Sequence, residues 1–448
     1  MTARDADLLD LLADVLAKAK AAGADSADVL MAEGHSISVA QRLGRPERLE
    51  RSEGYDLGLR VFVGRRQAIV SGNDRRPAAV AELVERAVAM ARVAPEDGFC
   101  GIADPDQIAR SVPDLDICDW HEPDTALLVE RARVAEEAAL AVAGVTNSEG
   151  AEAGWGLTRI AMAASNGFAG AYARSGHSVS VSALAGAGTA MERDYDYSST
   201  VHGADLEDPA LIGRRAGERA VRRLNPRKVA TQAVPIVIEQ RLAGGLLRSF
   251  AGAVNGSAIA RGTSFLKDRM GDRLFPAGLA IVDDPLRPRG PSSKPFDAEG
   301  LATRRTALVE DGILKSWVLD LYAARKLGLA STGHAARGTG GPPSPATTNL
   351  YLEAGRIAPE AMIREVGEGL FVTEMIGSGV NLLTGDYSRG AAGFWIENGE
   401  ITYPVSEITV AGNLKNMFLA LTPADDLVFR GAVNAPTLRI DGMTVAGR

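Results

Sequence analysis

Val234–Gly256, VPIVIEQRLAGGLLRSFAGAVNG, is the stretch around which the second half of this chain is organised. Val234–Ile238 is apolar and rich in branched side chains, which predicts a short buried strand. From Arg241 the apolar residues Leu242, Leu246, Leu247 and Phe250 recur at three- and four-residue spacing, which predicts a helix over 240–254. Gly244, Gly245, Ala251, Gly252 and Ala253 leave little side chain between them, so this helix is built for close neighbours.

Beyond it, short extended runs bounded by Gly, Pro and Asp dominate: Leu279–Val282, Arg304–Val309, Ile313–Leu319, Asn349–Leu352, Phe371–Met375, Phe394–Ile396, Ile401–Pro404 and Thr437–Ile440. Asp311-Gly312 and Asn398-Gly399 are hairpin turns, because these pairs tolerate the positive φ such turns need. Helices are expected over 319–327 and 413–420. The prediction for 226–448 is a mostly antiparallel β sandwich or barrel-like domain decorated by a few helices.

Upstream the pattern is α/β, and it comes round twice. Asp5–Ala22 has helical spacing and stops at Gly23. Extended runs follow over 27–32, 37–43, 47–51, 57–63 and 67–71, with turns offered by Gly34, Gly44 and Gly64, and a helix over 76–93 closes a unit spanning 1–94. A second unit over 124–225 repeats the order: helix 125–143, strands 158–164, 169–173 and 177–185, helix 208–224. Ser52-Glu53-Gly54-Tyr55 and Ser165-Asn166-Gly167-Phe168 enter strands at corresponding places, as a structural duplication would give. Residues 95–123, rich in Pro, Gly and Asp, read as a linker. The fold class is α+β.

Composition excludes several roles. The 448 residues are 46% hydrophobic and 24% charged, values of an ordinary globular protein rather than a disordered one. A net charge of -8 argues against a nucleic-acid-binding surface spread over the whole protein. No run approaches the length of uninterrupted apolar sequence that a membrane span needs, and MTARDADLLDLLADVL is an amphipathic helix rather than a signal peptide. Two cysteines fit a reducing compartment, so cytoplasm is the expectation.

Donor clusters are few. Five histidines stand at 35, 121, 177, 202 and 334, none four or five residues from another. Cys118, Asp119, His121, Glu122 and Asp124 form the one dense set, and a Cys-x-x-His pair is able to start a metal site. No matching pair follows, and a solvated linker is the favoured reading. Glu192, Asp194 and Asp196 share one face of a strand by period two. Calcium or substrate polarisation is the functional reading of these carboxylates, while a solvated face with Tyr195 and Tyr197 packed inward is the commoner one. Gly338–Pro345, GTGGPPSP, lacks the phosphate-cradling G-x-x-x-x-G-K-[ST] pattern and is either a flap or a passive connection. Gly377-Ser378-Gly379 is only a fragment of a serine-hydrolase elbow, and His334 in a loop is the one histidine available to it. Thr384-Gly385-Asp386-Tyr387-Ser388, with Asn381 before it, gathers hydroxyl, carboxylate and phenol groups where binding residues collect, although Asp386 and Ser388 equally suit bonds to their own turn.

Gly244-Gly245-Leu246-Leu247, Arg261-Gly262-Thr263-Ser264, 304–320 and 381–417 resemble the paired bacterial TldD and PmbA (TldE) peptidase family, once named for modulation of DNA gyrase, and the resemblance covers nearly the whole chain. In the TldD branch the helix over 240–254 carries HExxxH, two zinc-binding histidines and a water-activating glutamate, with a cysteine near the C-terminus as third ligand. Laid on that pattern, this chain has Arg248, Ser249 and Ala253, and no cysteine after Cys118. Arginine cannot ligate a cation and alanine offers no donor. The resemblance therefore implies the PmbA/TldE branch: no zinc or catalytic residue in this chain, zinc in a TldD-like partner, and a joint role in processing peptides and small unfolded proteins. It implies a dimer, with a homodimer possible for the chain alone, and makes the 338–345 loop a flap near the peptide path. Exposed sheet edges of the C-terminal domain would align an extended peptide. Peptide-binding candidates are Arg248, Asn381, Thr384, Gly385, Asp386, Tyr387 and Ser388, with Arg248 offering its fork to a peptide carboxylate or to an acid on the partner. A self-sufficient hydrolase with metal at His121 or Asp194, and a non-enzymatic regulator of a folded protein, are the alternatives.

Overall fold

Thr2 caps the first helix, α1 (Ala3–Ala21), by accepting the Asp5 N–H while Asp5 reaches back to the Thr2 N–H, so the chain is helical from its third residue. In the computed structural model, which describes residues 2–447, the helix lays Leu8, Leu12, Val15 and Ala19 on a sheet. The sheet is formed by β1 (Ser26–Arg42), β2 (Arg45–Val63) and β3 (Arg66–Gly72), followed by α2 (Pro77–Val93), then α3 (Thr125–Leu140), β4 (Val145–Ala164), β5 (Ala169–Ala185), β6 (Glu192–Thr200) and α4 (Pro209–Arg222).

The two repeats share one antiparallel sheet in the order β3-β2-β1-β4-β5-β6, joined where β1 pairs with β4 from Asp28↔Ala164 to Gln41↔Ala151. Alternation fixes the two faces. Odd-numbered β1 residues face the helices, Val29 and Met31 under α1 and α2, Ile37 and Val39 under α3 and α4. Even-numbered Leu30, with Met162 and Ala164 of β4, faces Phe296, Leu301 and Leu321 of the C-terminal half. Gly34 makes no turn. It pairs with Gly54 and Thr158 in the interior of the sheet, and the runs expected over 27–32 and 37–43 are one continuous strand, as are those over 47–51 and 57–63.

Residues 95–123 have little regular structure, yet they are packed. Ile108 bridges to Leu301, the Ser175 N–H donates to Ile117 O at 3.0 Å, and Leu115, Ile117 and Val201 form a small buried cluster.

The C-terminal half continues with β7 (Gln232–Ile238), α5 (Gln240–Ala253), α6 (Gly256–Arg261), β8 (Ile281–Asp283), β9 (Thr306–Glu310), β10 (Ile313–Leu314) and α7 (Leu321–Leu327). Then come β11 (Ala335–Ala336), β12 (Ser344–Pro345), β13 (Leu350–Leu352), α8 (Pro359–Val366), β14 (Gly369–Ile376), β15 (Asp386–Glu397), β16 (Glu400–Asn413), α9 (Leu414–Leu419), β17 (Leu421–Pro423), β18 (Val433–Asn434) and β19 (Leu438–Ala446). Strands β16-β15-β14-β7-β19 close into a five-stranded barrel when β19 pairs back onto β16, with β17 attached outside. The second sheet runs β10-β9-β8-β13-β18. Among the described residues the ladders of this domain are antiparallel except β7–β14 and β13–β18, which are parallel. The peptide-aligning edges expected here are short: β10 and β18, which end the second sheet, and β17, attached to the barrel, are only two or three residues long. Both expected hairpins form, with Asp311 and Gly312 at φ 49° and 74° and Asn398 and Gly399 at 52° and 78°. Helix α5 buries Leu246, Leu247 and Phe250 in a core shared by barrel and second sheet.

Candidate functional site

The small residues of α5 mark where backbone comes close. A Cβ on Gly244 would stand 2.7 Å from Val433 O, and one on Gly252 2.9 Å from Leu382 Cδ1. Helix α5 thus lies between the segment 430–435 and the segment 381–389, so the structure brings all the candidate binding stretches of the C-terminal half to one helix.

On the 430–435 side is a pocket of about 290 Å³ lined by Arg241, Gly244 and Arg248 of α5, Tyr197 of β6, and residues 430–435. Arg248 is exposed, and among the described residues it has no hydrogen bond or ion pair. Ser249 Oγ donates to Gly245 O at 3.3 Å, closing on its own helix. Ala253 is fully buried in the core. Asn434 holds the facing loop by accepting the N–H groups of Arg430 at 2.9 Å and Gly431 at 3.1 Å.

Beneath this pocket the β6 carboxylates depart from the solvated face expected for them. Asp194 and Asp196 are 3% and 0% exposed. Arg241 Nη1 donates to Asp194 Oδ1 at 2.9 Å, while Arg215 Nε lies 2.5 Å from Asp196 Oδ2 and Arg219 and Arg430 stand 3.2 and 3.7 Å from Oδ1. Glu192, half-buried and 3.6 Å from Arg223, has its carboxyl pushed up by burial, with Arg223 opposing. Burial alone would pull the Arg241 guanidinium down, but Glu239 and Asp194 together hold it above its ordinary range. Tyr195 and Tyr197 lie half-buried on the opposite face, stacked at 6.4 Å. The carboxylates tie β6 to α4, α5 and the 430 loop, and what faces the pocket is positive.

On the other side the 381–388 residues bond mainly to themselves. Asn381 Oδ1 accepts from Leu383 N at 2.9 Å, Gly385 N donates to Asn381 O at 2.8 Å, and Thr384 Oγ1 donates to Asp386 Oδ2 at 2.6 Å. Asp386, exposed and already in β15, has its carboxyl held down by the Thr384 hydroxyl and Asn413 amide. Ser388 donates its N–H to Gly379 O at 2.7 Å. Tyr387 belongs to the core rather than to a loop surface, 4% exposed with its hydroxyl 3.1 Å from Met375 Sδ.

The remaining sequence clusters separate. Asp119 Oδ2 lies 3.2 Å from Nε2 of buried His177, whose ring is held below its ordinary range by burial, with Asp119 opposing. Glu122 pairs with Arg51 at 2.6 Å, Asp124 caps α3, and the Cys118 thiol is pushed up to about 11 by burial, unsuited to act as a thiolate. His334 is not in a flexible loop. It is 1% exposed, with Nε2 3.2 Å from Asp283 Oδ2 and Nδ1 2.9 Å from Thr332 Oγ1, so its ring nitrogens are committed away from any serine. The 338–345 segment is seated rather than free: Thr339 Oγ1 donates to Asp56, and a Cβ on Gly58 would overlap Thr339 O. Among the described residues no three His, Cys, Asp or Glu side chains are grouped to hold a metal ion.

A closed barrel packed on a glycine-rich helix, joined to a duplicated α/β sheet, defines a class that the family models name. The description PmbA/TldA metallopeptidase matches as domain 1 over residues 27–91, as central domain over 118–224 and as C-terminal domain over 231–447. The chain belongs to the PmbA/TldA metallopeptidase family. Its full-length similarity is to PmbA: 38% identity over 426 residues with Metalloprotease PmbA of Escherichia coli O157:H7, covering 95% of this chain and 93% of that one. The Metalloprotease PmbA homolog of Haemophilus influenzae is 35% identical over 449 residues, 100% and 98% of the two chains. A solved structure from Bacteroides thetaiotaomicron, described as a candidate modulator of DNA gyrase, superposes with a TM-score of 0.91 at 27% identity over 98% of each chain. TldE from Thermococcus kodakarensis shares the fold, with a TM-score of 0.88 at 20% identity over 98% of this chain and 100% of that one.

Proposed function

We propose that this chain is the non-catalytic subunit of a two-chain zinc peptidase, working beside a TldD-like subunit that supplies the metal and the base. The observation that carries the reading is the arginine-lined pocket on α5. Where the TldD pattern places histidine, glutamate and histidine, this helix has a free guanidinium, a hydroxyl turned onto its own backbone and a buried methyl. Arg241 and Arg430 at that pocket are paired with Asp194, Glu239 and Asp196, so Arg248 sets a local charge that opposes a divalent cation and favours an anion. Arg248, exposed and unpartnered, offers its planar fork to an acidic group of the partner subunit. The peptide path would run between the subunits rather than along a C-terminal sheet edge, since the end strands are so short. Cys100 and Cys118, both unpaired thiols, suit a cytoplasmic site of action.

The test is reconstitution. The chain alone is expected to contain no stoichiometric zinc by metal analysis and to cleave no peptide. Mixed with a family chain bearing HExxxH, it should form a complex whose peptidase activity a chelator abolishes. Stoichiometric zinc in the chain alone, or partner-independent cleavage, overturns the reading.

A further inference from the structure

A second set of buried charges lies away from α5, where the C-terminal half meets the even-numbered face of the six-stranded sheet. A cleft of about 410 Å³ opens there, its apolar wall made by Leu30, Ala32, Ile160, Met162 and Phe296. Arg337, Lys294 and Arg174 line it with one acid, Asp297. That acid is already engaged: Oδ1 accepts from Glu299 N at 2.9 Å and Leu301 N at 3.0 Å, and Oδ2 from Ala335 N at 3.1 Å.

Arg337 has not found equivalent partners. Its side chain is 2% exposed, and Nη1 lies 2.6 Å from Asp28 Oδ1, an aspartate that also takes Nε of Arg60 at 2.9 Å on its other oxygen. Among the described residues, Nε and Nη2 of Arg337, the parallel donors along one edge of the guanidinium, have no acceptor. Leaving two such donors buried and unpaired is costly. That same edge matches the two oxygens of a carboxylate. Lys294, which lines the same cleft, donates Nζ to Ala335 O at 2.8 Å, and burial holds its ammonium below the ordinary range with Asp297 opposing. A buried guanidinium with two unspent donors among the lining residues of a cleft with an apolar wall, in a volume at the small end of ligand pockets, suits a short apolar acid and not a folded partner.

We propose that this cleft takes the carboxyl terminus of an apolar peptide, the terminal carboxylate on the Nε–Nη2 edge of Arg337 and the last side chains against Leu30, Ile160 and Met162. The choice of a peptide among apolar acids rests on the peptide-handling role proposed above. The cleft's chemistry stands apart from that role.

Calorimetric titration of the full chain without a partner tests it, with three probes: acetyl-alanyl-leucyl-leucine as free acid, the same peptide as C-terminal amide, and octanoate. The acid should bind, the amide about ten- to hundred-fold more weakly through loss of the charge-assisted pair, and octanoate more weakly than the acid. Arg337→Gln should cost the acid the same factor. Because Arg337 also neutralises Asp28, a second variant, Ala32→Phe, fills the apolar end without altering any charge and should abolish binding with the fold retained. Equal binding of acid and amide, unchanged binding by folded Arg337→Gln and Ala32→Phe, or no heat from millimolar acid overturns the proposal, and binding of octanoate alone overturns the peptide assignment. A chain that captures the acid yet fails to activate a zinc-bearing partner refutes the subunit role and leaves the cleft standing. The reverse pair of results does the opposite.

Discussion

Replacing Asp196 by Asn removes one negative charge and almost no volume from a fully buried position that three arginines approach at 2.5, 3.2 and 3.7 Å. Breaking a buried ion pair from one side costs about 3–5 kcal/mol, because the partner charge stays desolvated without compensation. Here the arginines are only partly buried, their side chains 22–25% exposed, and Arg215 keeps Glu207 as a second acid. The lower end, about 3 kcal/mol, is therefore expected. An unfolding entropy of about 2.1 cal/mol/K per residue gives roughly 0.9 kcal/mol/K for a chain of this length, so the melting temperature should fall by about 3 °C if the chain unfolds as one unit, and by more if only the domain holding β6 does. Differential scanning calorimetry reads this directly, with exposed Asp10→Asn on α1 as the control that should not move it. The loss should survive added salt, since screening acts weakly on buried pairs. A melting temperature within 1 °C of the parent means that Asp196 does not compensate the arginines, and the account of how β6 is tied to the α5 pocket falls with it.

Three further outcomes follow from particular residues. Burial, with repulsion from Asp297, pushes the Glu299 carboxyl up to about 8, well above its unfolded value, so the folded chain keeps a proton that the unfolded chain has lost. Stability should decline as pH rises from 6.5 to 8, and Glu299→Gln, which keeps the acceptor for Leu321 N at 2.8 Å, should flatten that slope. Identical slopes in parent and variant would sink the assignment. Gly58→Ala drives a methyl into Thr339 O, and at a typical overpacking cost of about 1–3 kcal/mol it should unseat the 338–345 segment, read as faster proteolysis within it. Arg248→Glu should leave the melting temperature within about 1 °C, as surface substitutions usually do, while weakening association with the zinc-bearing subunit by ten-fold or more in a titration. An unaltered affinity removes Arg248 from the interface.

Local rules carried much of the fold. Helix α5 and its neighbouring β7 were legible because period and branching agree over 234–254, and the two positive-φ hairpins because Asp-Gly and Asn-Gly state the turn chemistry outright. The glycines of α5 correctly announced close neighbours but not which ones, since the approach to Val433 O and Leu382 joins segments remote in sequence. Gly34 misled for a related reason. Glycine marks a turn when the chain bends locally, yet in the middle of a long strand flanked on both sides by partners it is carried along by the ladder. Many short strands with hairpin turns pointed to a sandwich or barrel-like domain, but which strands close the barrel lay beyond local reading, because the β16–β19 pairing depends on register between distant strands.

The β6 carboxylates expose a sharper limit. Period two correctly put Glu192, Asp194 and Asp196 on one face, and isolated carboxylates belong in water, so a solvated face was the natural inference. What inverted it was arginine from α4 and its C-terminal cap, α5 and the 430 loop, namely Arg215, Arg219, Arg223, Arg241 and Arg430, none within ten residues of the β6 acid it meets. A strand's alternation determines which residues share a side, and only the charge delivered by other elements determines whether that side is wet. The consequence reaches the functional site: with the acids spent on holding arginines in place, the net sign at the mouth of the α5 pocket is set by Arg248. The helix that resembles a metal-binding one then has the electrostatics of an anion receptor, and reversing Arg248 alone should reverse its preference.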